Sequence, residues 1–178
     1  NGNSSYLAKR ICEKASAQGA EVQYFNLNTL NYKGCQACMA CKSGSEKCDI
    51  QDDLANVIDS AAEADLLVLA TPVYFGDISA QLKAFVDRTF SYLVPDFYFS
   101  DIKSRLKPGK KLLFVLTQGH EDKNSFADIF PRYEFFFGWY GYSQCIELRG
   151  TGLLDEKDVL LKKNILKQAD EAAEKILS

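Results

Sequence analysis

Two nearly uninterrupted apolar runs, Asp65 to Thr71 and Lys111 to Thr117, constrain this chain more than any other feature. A strand with apolar side chains pointing both ways must be covered on both faces, which is the condition of a parallel sheet buried between helices. The segments between these runs can supply the helices. From Asn3, the positions Leu7, Ala8, Ile11, Cys12 and Ala15 recur at helical spacing, and Gln18-Gly19 forms a natural stop. Leu54, Val57, Ile58 and Ala61 follow Asp52 and Asp53, whose acids suit a helix N-terminus. Ile78, Leu82, Phe85, Val86 and Phe90 make a third stripe. Glu21 to Leu27 alternates with period two, predicting a half-buried or edge strand, and Gln144 to Leu148 predicts a shorter one. A last helix is expected from Asp155 and Asp158 to near Leu177. Strands alternating with helices predict an α/β fold: an open, doubly wound parallel sheet with helices on both faces, in a single domain over residues 1–178.

Composition narrows the function classes. With 47% apolar residues the chain can bury a full core. Its longest apolar run, Leu66 to Ala70, is too short to span a bilayer, and no basic-then-apolar leader opens the sequence, so a soluble protein is expected. A net charge of -3 with both signs interspersed argues against a nucleic-acid partner. Lys103, Arg105, Lys107, Lys110 and Lys111 straddle Pro108-Gly109, a pattern that fits a solvated turn or a docking patch for an acidic electron-transfer protein.

Four of the six cysteines fall in one stretch, Cys35, Cys38, Cys41 and Cys48, spaced C-x2-C-x2-C-x6-C. Three cysteines at two-residue separation let a curled backbone present sulfurs to one face of an iron-sulfur cubane, and a fourth nearby completes the set. Zinc suits this spacing less well, and the sole histidine, His120, is remote in sequence. Free thiols and a redox disulfide are the plainer readings. Cysteines packed so densely suit metal ligation in a reducing cell, which points to the cytoplasm. Cys12 and Cys145 fit no ligand set and are expected as small core residues.

Sheets of this kind bind ligands beyond the carboxyl ends of their strands, so the loops leaving strands carry the information. Asn1 to Ser5 precede a helix whose first N–H groups could hold a phosphate, although the same residue types serve as ordinary caps. Thr71 to Gly76 places Tyr74 and Phe75 beside a glycine after the most buried strand, suiting a flat aromatic ligand or a core cap. Thr117 to His120 leaves the second strand, with His120 read as a proton donor or a solvated residue. The aromatic run Phe135, Phe136, Phe137, Trp139 and Tyr140 could roof a ligand, form a subunit contact or pack on the sheet.

Together these segments resemble the flavodoxin-like family of NADPH-dependent FMN reductases, and within it the iron-sulfur flavoproteins. The resemblance rests on Asn1 to Ser5, on Gly34 to Cys48 with Asp52-Asp53 after it, and on Thr71 to Gly76 continuing through Ser79 to Arg88. It implies that Asn3, Ser4 and Ser5 hold the phosphate of FMN and that Pro72, Val73, Tyr74, Phe75 and Gly76, with Thr71, border the ring. Thr117 and Gly119 correspond to a third flavin-contacting segment. It further implies a [4Fe-4S] cluster on Cys35, Cys38, Cys41 and Cys48, within a cysteine-rich loop at 34–48. Family members also possess a buried first strand that residues 1–178 do not contain. The implied activity is an oxidoreductase passing electrons between cluster and FMN to an acceptor, supplied by NAD(P)H or a small protein such as ferredoxin, in a homo-oligomer. The alternatives are an NAD(P)H-dependent FMN or quinone reductase without a cluster, and a zinc-stabilised interaction module.

Overall fold

The computed structural model describes residues 2–178. Helix α1 (Asn3–Ala17) opens the chain and buries Leu7, Ala8, Ile11 and Ala15 along one stripe. The cysteine loop contains a single helical turn, α2 (Ala40–Ser43). Helix α3 (Asp53–Glu63) begins where the Asp52 side chain accepts the Leu54 N–H, and buries Leu54, Val57, Ile58 and Ala61 as its sequence pattern predicts. The apolar run that follows forms β1 (Leu66–Tyr74), which turns tightly into the two-residue β2 (Asp77–Ile78). Helix α4 (Ala80–Arg88) is capped by Ser79. Then come β3 (Lys110–Thr117), α5 (Ile129–Trp139), β4 (Tyr142–Gly150) and α6 (Lys163–Leu177).

The strand order is β2-β1-β3-β4, with β1, β3 and β4 parallel and β2 antiparallel to β1. Side chains of β3 alternate between two cores, as a pleated strand requires. Leu112, Phe114 and Leu116 pack with α3, α4 and α5, whereas Leu113 and Val115 pack with α1 and α6. Helices therefore cover both faces of a flavodoxin-like α/β sheet, and both apolar runs are the parallel strands expected of them. No helix among the described residues is long and apolar enough to cross a membrane.

Three expectations are corrected. Residues 21–26 are not in a strand; they run beside β1 but across a groove from it, and residues 21–24 are exposed. Period-two alternation gives a strand only where a neighbour completes the hydrogen-bond ladder, and the expected first strand between these two segments is not among residues 2–178. Ile78 and Phe90 lie outside α4, with Ile78 reaching the core from β2. The last helix starts at Lys163, after a short 3-10 turn over Asp158–Leu161. Asp158 does not cap it, because its carboxylate accepts the N–H groups of Leu154 and Asp155 at 3.0 and 2.8 Å and closes a turn instead.

Candidate functional site

At the carboxyl ends of the strands the structure brings Asn3, Ser4, Ser5, Pro72, Val73, Tyr74, Thr117 and Gly119 to one cleft, which continues down the free edge of β1 to give a space of about 1550 Å³. The floor is the start of α1. Tyr6 is the first residue of that helix whose N–H returns to a carbonyl, that of Gly2 at 3.1 Å. The N–H groups of Asn3, Ser4 and Ser5 thus precede the intrahelical ladder and form the positive end of a fifteen-residue helix. Two of the three side chains are already engaged. The Asn3 amide donates to the Asp155 carbonyl at 2.9 Å and accepts the Val159 N–H at 3.0 Å, while the Ser5 hydroxyl pairs with the Tyr24 hydroxyl at 2.8 Å. Asn3 and Ser5 hold the helix start in place, which leaves the backbone and Ser4 to meet an anion.

The opposite rim separates residues that face the cleft from residues that support it. Thr71 is buried, and its hydroxyl accepts the Ser79 N–H at 3.0 Å and pairs with the Ser79 hydroxyl at 3.1 Å; it fixes the cap of α4 and does not line the cleft. Phe75 and Gly76 also fall outside the lining. They are the two central residues of the β1–β2 turn, with φ of 49° and 87°, and the Phe75 side chain is fully exposed. The reading of Tyr74 and Phe75 as a core cap is overturned, since Tyr74 is also largely exposed. At Gly119 a Cβ would lie 2.5 Å from Cδ2 of the exposed Leu154, so a larger residue here would push that leucine tip aside. Gln118 is buried and shapes the same loop, donating to the carbonyls of His120 and Asp122 and accepting from Arg149 at 2.8 Å. His120 accepts the Asp122 N–H on Nδ1 at 3.2 Å and stands edge-on to Phe126, outside the cleft lining.

The cysteine loop lies along α4. The Tyr32 hydroxyl donates to the Gln81 carbonyl at 3.2 Å, and Arg88, at the far end of the helix, reaches Asp52. Ala37 and Met39, each between two cysteines, take positive φ values of 51° and 59°. Such left-handed positions curl the backbone at a cost, and here they turn a segment with no ladder of its own. All four cysteines are free; Cys35 and Cys38 are exposed, and Cys41 and Cys48 are partly covered. Three cations fasten the loop. Lys42 donates to the carbonyls of Phe90 and Leu93 at 2.6 and 2.8 Å, and Arg105 donates to the Cys41 carbonyl at 3.0 Å and to the carbonyls of Ser91 and Leu93. Arg88 pairs with Asp52 at 2.6 Å. Burial works against the charge on Arg88, but Asp52 and Cys48 outweigh it and hold its pKa above the usual value. Burial likewise opposes ionisation of Asp52, yet Arg88 and the N–H groups of Lys33 and Leu54 bring its pKa below the ordinary carboxylate value. The donor set of soft thiols beside one buried and two partly buried cations suits an anionic iron-sulfur centre. No three His, Cys, Asp or Glu side chains among the described residues are grouped tightly enough to hold a single metal ion.

Sequence reasoning gives no site role to Lys42, Arg88 or Leu154, reads Arg105 as part of a basic turn or docking patch, and reads Asp155 as a helix start. A signal existed for Arg88, which continues the buried stripe of Leu82 and Phe85 at helical spacing; a charge on such a stripe marks a buried pair. Cys12 and Cys145 are only partly buried, although burial raises both thiol pKa values, that of Cys145 to about 11. Phe135 and Phe136 are exposed beside Trp139, whereas Phe137 and Tyr140 are core residues.

The strand order, with helices on both faces of the sheet, defines a flavodoxin-like α/β protein. The sequence pattern of the NADPH-dependent FMN reductase family matches residues 1–124, and the chain belongs to that family. An iron-sulfur flavoprotein of Methanocaldococcus jannaschii is 35% identical over 88 residues, covering 49% of this chain and 45% of that protein. An iron-sulfur flavoprotein of Methanosarcina thermophila is 35% identical over 77 residues, covering 43% and 40%. The matched stretch thus spans less than half the length of these relatives. Among solved structures, the NAD(P)H:quinone oxidoreductase of Methanothermobacter marburgensis aligns with a TM-score of 0.71 at 18% identity, over 96% of this chain and 87% of that one. An FMN-dependent NADH-azoreductase of Bacillus anthracis aligns with a TM-score of 0.66 at 17% identity, over 98% and 91%. At such identities these two likenesses describe the fold.

Proposed function

We propose that this chain is an FMN-dependent oxidoreductase of the iron-sulfur flavoprotein type, with FMN in the strand-end cleft and a [4Fe-4S] cluster on Cys35, Cys38, Cys41 and Cys48. When bound, FMN supplies hydride and single-electron chemistry and the cluster supplies single-electron chemistry. The rest is the work of this chain's residues. The open N–H groups at the start of α1 meet the phosphate, with Ser4 beside them. Pro72, Val73 and Tyr74 border the ring on one side, and Thr117 and Gly119 approach it with backbone on the other. Thr71, Phe75 and Gly76 act at one remove by shaping the rim. Helix α4 connects the two sites, tied to the rim through Ser79 and to the cysteine loop through Arg88. Its nine residues span only about 13 Å. That shared helix is the observation that carries the reading.

Electrons would come from a small carrier such as ferredoxin or from NAD(P)H, in a reducing cytoplasm. The exposed Phe135 and Phe136 fit a homo-oligomer. A cluster-free NAD(P)H-dependent FMN or quinone reductase is the second reading, favoured by the spacing of thiols that form no tight single-ion group. Anaerobic purification followed by iron, sulfide, zinc and FMN analysis separates these. About four irons and one FMN per chain support the first reading; FMN without iron supports the second, and zinc without flavin overturns both.

A further inference from the structure

Past the last rungs of β3 and β4 the hydrogen-bond ladder stops, yet two loops there line the cleft, with Gly119 after β3 and Leu153 to Glu156 after β4. One residue ties them together. The backbone N–H of Gln118 donates to the Gly150 carbonyl at 2.9 Å, and its carbonyl accepts the Leu153 N–H at 3.0 Å. The side-chain amide nitrogen donates to the carbonyls of His120 and Asp122 at 3.1 and 3.0 Å. Its oxygen accepts from Arg149 Nη1 at 2.8 Å. Two acceptors on one side and a cationic donor on the other leave this amide a single orientation. Gln118 is only 2% exposed, so water does not compete for these bonds.

Arg149 is itself held. Its side chain is 9% exposed, and Nε donates at 2.6 Å to Glu147, its neighbour on the same face of β4. Carboxylate, guanidinium and amide thus form a chain that ends on the loop carrying Gly119, and the charged donor polarises the amide and strengthens its grip on the loop carbonyls. The Gly119 N–H has no hydrogen-bond partner among the described residues. We propose that Gln118, oriented by Arg149 and Glu147, is a positioning residue for FMN that sets where the Gly119 backbone stands against the ring. A backbone donor held there favours the more electron-rich, reduced form of the flavin. This assignment rests on the FMN reading above.

The test strips FMN from wild-type, Gln118→Met, Arg149→Met and doubly substituted protein and titrates it back, followed by flavin fluorescence. Each single variant should bind FMN roughly 10-fold more weakly. The double variant should bind no more weakly than either, because the two residues act in one chain. Bound FMN should also show a lower midpoint potential in Gln118→Met, which a general loss of stability does not produce. Wild-type protein answers the same question if the variants do not fold. Exchange of the Gln118 side-chain amide protons should slow further when FMN binds, since the coupling is reciprocal. Three results overturn the assignment alone: losses that multiply to roughly 100-fold in the double variant, a single variant with wild-type affinity and potential, or an exchange rate that FMN leaves unchanged. Wild-type protein that binds no FMN overturns it together with the FMN reading.

Discussion

At the strand-end cleft the groups that face a ligand are mostly backbone, and regular structure holds them: the start of α1 and the ends of β1 and β3. In the cysteine loop the groups proposed to face a ligand are thiol side chains on backbone with little regular structure, and Arg88, Lys42 and Arg105 do the holding. The difference teaches where each site is vulnerable. A helix terminus and strand ends survive the loss of any single side chain, because hydrogen bonds throughout the element support them. A loop clasped through one largely buried ion pair, Arg88 with Asp52, fails when one partner is removed, because the remaining charge is stranded out of water.

The largest effect should follow from breaking that clasp. Asp52→Asn leaves the Arg88 guanidinium buried without its counter-charge and should cost about 3–5 kcal/mol, or roughly 10 °C in thermal midpoint for a chain of this length. Flavin binding in the surviving folded protein should change little, which titration with FMN would check. The same pair predicts a pH dependence. Because folding depresses the Asp52 pKa, its stabilisation is complete above the ordinary carboxylate value of about 3.9 and is lost as pH falls towards the folded-state value. The gap in thermal midpoint between wild-type and Asp52→Asn protein should therefore be wide at neutral pH and close below about pH 4. A gap independent of pH would mean that the carboxylate does not carry the clasp.

Smaller effects should mark the cleft. Phe75 sits at φ 49° with a fully exposed side chain, so Phe75→Asn relieves left-handed strain and loses no packing. The gain should be about 1 kcal/mol, seen as a slightly higher thermal midpoint. If the aromatic face of Phe75 also shields bound flavin, the same variant should bind FMN more weakly, a combination of greater stability and poorer binding that no core residue would give. Gly119→Ala forces the Leu154 side chain aside and should weaken FMN binding only several-fold, since an exposed leucine tip can move. Iron content should be unaffected in both variants. Loss of iron from either would show that the two sites are not built independently.

The sequence spelled out the buried parts and left the clasps hidden. The runs Asp65 to Thr71 and Lys111 to Thr117 announce two parallel strands because burial on both faces writes itself into composition. The cleft residues Pro72, Val73, Tyr74, Thr117 and Gly119 follow from where those strands end, and Asn3, Ser4 and Ser5 from the start of a helix. Glu21 to Leu27 misled because alternation reports on side-chain preference and not on whether a neighbouring strand is there to pair. Thr71 was assigned to the ligand, but its hydroxyl serves Ser79, a partner only the three-dimensional structure supplies. Arg88 and Asp52 meet across 36 positions, and pairing at that separation has no periodicity to betray it.

The most direct test of two separately built sites is to measure iron and FMN in parallel anaerobic preparations of wild-type and Cys38→Ala protein. The account predicts about four irons and one FMN per chain in wild-type protein, and FMN alone in the variant with the thermal midpoint of the cluster-free protein retained. A full iron complement in Cys38→Ala, or loss of FMN together with the iron, would contradict it.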